Sequence, residues 1–192
     1  MRSIRLLPLA ALAGLGLATQ SRADVVVTVA QAGGDVVFES AGGTLDLTGL
    51  SFFDTNTYDA QIAPSSSAFL IGASASVEGF LGLTPPSAFG SSSFFFADSG
   101  MGPLVGAYAT ALYVPTGYES GTPLGPFSAV FADHTYDSLG FDPAGGTFTW
   151  TWDADSVSLV IAPAAPVPVP ATVWLFGSAL GFLGWLRRKA AC

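Results

Sequence analysis

His134 is the single histidine of this 192-residue chain, and Cys192, its last residue, is the single cysteine. His134 follows Asp133 and precedes Asp137, so it has carboxylates at hand for a Ser–His–Asp relay. No G-x-S-x-G elbow accompanies it, and serine is too abundant for one residue to stand out as nucleophile; a turn residue is the simpler reading. One histidine and a terminal cysteine do not supply the nitrogen and sulfur ligands of a zinc site. Carboxylates are the larger resource, 14 in number and all between Asp24 and Asp155. A pair of them could run glycoside hydrolysis, which needs two groups about 5 Å or about 6.5–9.5 Å apart. With so many acids, however, some such pair is near-inevitable by chance. Hard cations take carboxylate and carbonyl oxygens. Asp153 with Asp155, and Asp133 with Asp137, are therefore the candidates for a bound calcium ion, the one cofactor considered. Neither pair sits in an EF-hand loop or a glycine-rich nonapeptide repeat, and solvated turn acids are the simpler reading. Trp150 and Trp152 lie two apart, hence on one face of a strand. Outside, they could stack on sugar rings. Inside, they are core, the side favoured because Thr147, Thr149 and Thr151 suit the wet face.

The elements that would position these residues are strands. Val25–Ala30 is β-branched, and Asp35–Glu39 follows a Gly33-Gly34 turn. Thr44–Thr48 alternates apolar and polar residues with period two, which predicts a half-buried strand. Ala68–Ile71, Phe94–Phe96, Leu104–Val114 and Ser128–Phe131 are further strand candidates. Thr147–Trp152 and Ser156–Ile161 alternate on either side of Asp153-Ala154-Asp155 and read as a hairpin. Glycine, proline and serine clusters punctuate the chain, among them Gly42-Gly43, Pro64–Ser67, Pro85-Pro86 and Gly145-Gly146. No stretch of the body has a period near 3.6. The fold expected is all-β, an antiparallel β-sandwich of jelly-roll-like type, with a signal helix before it and a transmembrane helix after it.

All six lysines and arginines lie outside this body: Arg2, Arg5 and Arg22 before it, Arg187, Arg188 and Lys189 after it. Residues 1–23 have a basic start, an apolar run and Ser21-Arg22-Ala23. That is the layout of a secretory signal peptide cut between Ala23 and Asp24. The body, residues 24–161, then holds 14 acids against no Lys or Arg, a net charge near −14. Nucleic acid and anionic surfaces would repel it, so no nucleic-acid partner is expected. Residues 162–170 form a proline-rich linker, extended and stiff. Residues 171–186 are uncharged and mostly apolar, about 24 Å long as a helix, which reads as a short transmembrane span. Residues 187–192 form a basic tail, which stays cytoplasmic. A body without cysteine can neither be stapled by a disulfide nor use a thiolate.

The order of proline-rich motif, short span and basic cluster resembles the PEP-CTERM sorting signal. The likeness is carried by Val167, Pro168, Val169, Pro170 and Ala171 with Thr172, then Trp174–Gly177, then the basic stop Arg187, Arg188 and Lys189. Val169 stands where the commonest form of the motif has Glu, which moves the likeness toward the VPLPA-type variant. The resemblance implies an exosortase-type transpeptidase that cuts near Pro168–Pro170. It also implies an inner-membrane-anchored precursor, and delivery of the body to the cell surface or an exopolysaccharide matrix. Tyr113–Leu124 and Ala132–Ile161 resemble segments of uncharacterised PEP-CTERM proteins, for which no activity carries over. The function expected is therefore a non-enzymatic, exported surface or matrix protein. A carbohydrate-binding module, with or without calcium, is the alternative, and a carboxylate-dependent glycoside hydrolase the third reading.

Overall fold

The computed structural model describes residues 25–164, and it is all-β apart from one 3₁₀ turn at Pro64–Ser66. The expected signal peptide with its Ala23/Asp24 junction, the sorting motif Val167–Ala171, the span over 171–186 and Arg187, Arg188 and Lys189 all lie outside these residues. Among the described residues no helix is long and apolar enough to cross a membrane.

Thirteen strands form two sheets packed as a sandwich: β1 (Val25–Ala32), β2 (Asp35–Ser40), β3 (Ser51–Tyr58), β4 (Gln61–Ala63), β5 (Ala68–Ile71), β6 (Ala75–Leu81), β7 (Phe95–Phe96), β8 (Ser99–Met101), β9 (Val105–Tyr108), β10 (Ala111–Pro115), β11 (Phe127–Phe131), β12 (Gly146–Thr151) and β13 (Ser156–Ile161). One sheet has the order β12-β13-β1-β2-β11-β8, the other β3-β6-β10-β9-β5-β4-β7. The period-two runs decide which faces meet. Val25, Val27 and Val29 of β1, Val36 and Phe38 of β2, and Val157, Leu159 and Ile161 of β13 turn inward. There they join Ile62, Phe69, Ile71, Leu112 and Val114 of the other sheet in one core. The aromatic rings of this core meet edge-on or tilted, as Phe69 and Phe89 do against Trp150.

Several expectations are met. The Gly33-Gly34 turn, with Gly33 at φ +67°, joins β1 to β2. The β12–β13 hairpin pairs Thr151 with Ser156. Others are corrected. The sheets are not antiparallel throughout: β1 runs parallel to β13, Val25 opposite Val157 and Val29 opposite Ile161. Two matched apolar stripes from opposite ends of the body outweigh the local tendency toward hairpins. Leu104–Val114 is two strands, β9 and β10, because the chain reverses at Ala109, whose φ is +49°. Thr44–Thr48 belongs to no strand. The N–H groups of Leu45, Asp46 and Leu47 are held by side chains instead. The paired strands β3 and β6 carry no clear apolar alternation and are not foreseen by the sequence pattern.

Candidate functional site

The seven-stranded sheet has one face in the core and one face outside. On the outer side, strand register aligns Tyr113 with Gly106 and Gly79, Tyr108 with Ala68 and Ala111, and Leu70 with Gln61. On β3 the same alternation puts Asp54, Asn56 and Tyr58 together on this face, Tyr58 opposite Ala75. Part of this face encloses a hollow of about 260 Å³ with Leu70 and Ala68 in its lining and Tyr58, Tyr108, Tyr113, Phe94 and Gln61 around it. Tyr108 and Phe94 keep 44% and 43% of their surface open.

The aromatic walls support one another. Tyr58 and Tyr113 meet at 5.4 Å and Phe53 and Tyr113 at 6.1 Å, both edge-to-face. Gly79 makes the second contact feasible: a Cβ there would lie 2.4 Å from the Phe53 ring, so the bare backbone gives that ring its seat. A slip in the β3–β6 register between Phe52 and Asp54 swings Phe53 into this place. Beyond it, the Asn56 side-chain amide donates to the Asp54 carboxylate. Burial, then the hydrogen-bonded Tyr58 phenol, then Asp54 and Tyr108 push the Tyr113 phenol up to about 12. Each contribution disfavours the phenolate, so Tyr113 stays neutral and able to donate across the physiological range. Next to this hollow lies a second one, bordered by Asp59, Phe96 and Asp98. The two adjoin through the Phe94–Phe96 ring pair, 4.7 Å apart. In chemical terms the outer face offers aromatic surfaces, phenol hydroxyls and an amide. No carboxylate lines the tyrosine hollow, and no lysine or arginine occurs in the sheet that carries it.

The residues singled out from the sequence lie elsewhere. Trp150 and Trp152 do not form a sugar platform. Trp150 is 0% exposed, and its indole N–H donates to the Ser67 carbonyl at 3.2 Å. Trp152 lies just past the end of β12 and donates to the Asp46 carbonyl at 2.7 Å. Asp155 is buried, with Oδ1 accepting the Ser156 N–H (2.8 Å) and Oδ2 the Asp46 N–H (2.9 Å). Asp153 stands exposed on the turn before it. Asp133 is exposed in the left-handed region at φ +56°, its N–H donating to Asp35, and Asp137 is exposed in the following turn. Among the described residues no three His, Cys, Asp or Glu side chains converge on a point where a metal ion could sit. His134 lies against Phe95 with its Nδ1 3.1 Å from Ser138 Oγ, in a turn where Ser138 and Thr135 also bond each other's backbone.

The tyrosine hollow escapes a reading based on rare residue types, since nothing in it is rare. The available signal is the D-x-N-x-Y alternation of β3, together with Tyr113 standing between the inward Leu112 and Val114. No protein-family model, curated protein or solved structure matches the chain.

Proposed function

We propose that this chain is an exported, non-enzymatic surface or matrix protein whose body binds a glycan on the outer face of its seven-stranded sheet. The observation that carries the reading is the hollow walled by Tyr58, Tyr108, Tyr113 and Phe94. Sugar rings present flat C–H faces edged by hydroxyls, which suits aromatic walls carrying phenol groups and the Gln61 amide. Its lining holds none of the paired carboxylates that glycoside hydrolysis employs, so the reading is binding and not turnover. In this proposal the body is a jelly-roll-like sandwich that reaches the surface through its PEP-CTERM-like signal, with exosortase-type processing at the inner membrane. The sequence pattern of residues 162–189 supports that route.

Affinity electrophoresis of the full chain through gels containing polysaccharides of different charge tests the binding. Retardation in at least one gel is expected, weakened by Tyr108→Ala. Unretarded migration in every gel would sink the glycan reading. Mass spectrometry of the exported protein tests the route. A mature form that ends before Arg187 is expected, and one still carrying residues 187–192 would refute processing.

A further inference from the structure

We propose that the glycan held in the tyrosine hollow is one that carries free amines, so that the site selects an ammonium-bearing sugar over its N-acetylated, neutral and acidic counterparts. The inference rests on the glycan reading and names the ligand class for the same site. Every lysine and arginine of the chain lies before residue 24 or after residue 186. A carboxylated or sulfated sugar entering the hollow would find no Lys or Arg to pair with among the described residues, and 14 body acids would oppose its approach.

An ammonium finds the reverse. The faces of Tyr58, Tyr108, Tyr113 and Phe94 attract a cation through their ring quadrupoles. Phenol oxygens and the Gln61 side-chain carbonyl can accept hydrogen bonds from its N–H groups. Asp54 pairs with Gly79, which pairs with Tyr113, so the carboxylate shares the outer face with that ring, while Asp59 and Asp98 border the adjoining hollow. An N-acetyl group removes the charge and leaves the ring contacts, so the neutral form keeps only part of the interaction. A free polyamine keeps the charge and lacks the ring, so it too is a partial match. Charge complementarity over a face walled by aromatics therefore points to a glycan amine as the occupant.

The test is calorimetric titration of the full chain, held in neutral detergent, with four oligosaccharides of equal length: glucosamine, N-acetylglucosamine, glucose and galacturonate oligomers. Spermidine is titrated as a fifth arm. At low salt the glucosamine oligomer is expected to bind at least tenfold tighter than the N-acetylated one. The preference should shrink on going to about 0.5 M NaCl. Asp54→Asn should narrow it without abolishing binding, and Tyr108→Ala, an exposed position with little bearing on folding, should weaken every bound oligomer. Equal binding of the amine and N-acetyl forms would overturn the amine selection and leave the glycan reading standing. No binding of any oligosaccharide would overturn both. Spermidine binding as tightly as the glucosamine oligomer, or glucosamine binding untouched by both substitutions, would show attraction by net charge alone and remove the hollow from the assignment.

Discussion

Asp155 is 6% exposed in a body that contains no lysine or arginine to face it. A buried carboxylate needs donors, and here the backbone supplies them: the N–H of Ser156 and, across the fold, the N–H of Asp46. Asp155→Asn keeps the volume but turns one acceptor into a donor pointing at a donor. The expected loss is about 1.5–3 kcal/mol, the scale of a hydrogen bond to a charged group, read as a lower denaturation midpoint with an unchanged m-value. An unmoved midpoint would mean that these bonds contribute nothing. Tyr113 gives a prediction of opposite chemical sense. Its folded pKa, about 12, lies above the ordinary 10.0, so the unfolded chain releases this proton first as pH rises. The contribution is complete below pH 10 and is lost progressively through about pH 12. Tyr113→Phe should therefore show a shallower fall in stability across that interval than the parent, and an equally steep fall would contradict it. The type of Asp155 is what marks it in the sequence as a cation ligand. What decides its role is an amide 109 residues away, and no local pattern encodes that.

The segment over residues 44–48 shows how an element can be read correctly for burial and wrongly for structure. Its alternation does place Leu45 in the core at 0% exposure. Yet no strand lies beside it. The Leu45 N–H donates to the Tyr118 phenol oxygen (2.8 Å), the Asp46 N–H to Asp155 (2.9 Å) and the Leu47 N–H to Ser120 Oγ (2.8 Å). The Tyr118 hydroxyl in turn donates to the Thr122 carbonyl at 2.7 Å. Side chains from the loop after β10 and from the β12–β13 turn thus replace a neighbouring strand's ladder. Period two reports which side chains are buried and is silent on what bonds the backbone. Strand β3 is the complementary case. It pairs along β6, but as an edge strand with Phe52 and Phe53 outside it has no buried stripe to announce it. Amide hydrogen exchange separates the two kinds of bonding. Amides 45–47 should exchange at least tenfold more slowly than amides of an exposed turn such as that around Asp142. Tyr118→Phe should release Leu45 more than Leu47. Free-loop rates at all three positions in the parent protein would show that the side-chain clamp does not persist in solution.

At the scale of the whole molecule, charge is the dominant property and the one most directly readable from composition. Where the acids lie is what the fold adds. Glu39, Asp59, Asp98, Glu119, Asp133, Asp137, Asp142 and Asp153 are all exposed, and His134 is the sole side chain among the described residues able to become cationic. The sandwich therefore holds together through its two-sided core against mutual repulsion of its surface, with no Lys or Arg among the described residues to form ion pairs that offset it. Such repulsion acts over roughly 10 Å at 0.1 M salt and shortens to about 3 Å at 1 M. Stability should accordingly rise with ionic strength, by on the order of 1 kcal/mol between about 10 mM and 0.5 M NaCl. For a protein held by surface ion pairs the trend would be the opposite. Sodium chloride is the salt to use, because sulfate strengthens apolar burial by itself and would raise stability whatever the charge pattern. Replacing one exposed acid by lysine, as in Asp142→Lys, should raise stability at low salt and lose that advantage at 0.5 M. A midpoint that falls with added NaCl, or an Asp142→Lys effect that ignores it, would mean that the acids lie far enough apart to be independent. The charge would then govern what the surface attracts without weighing on how the fold is held.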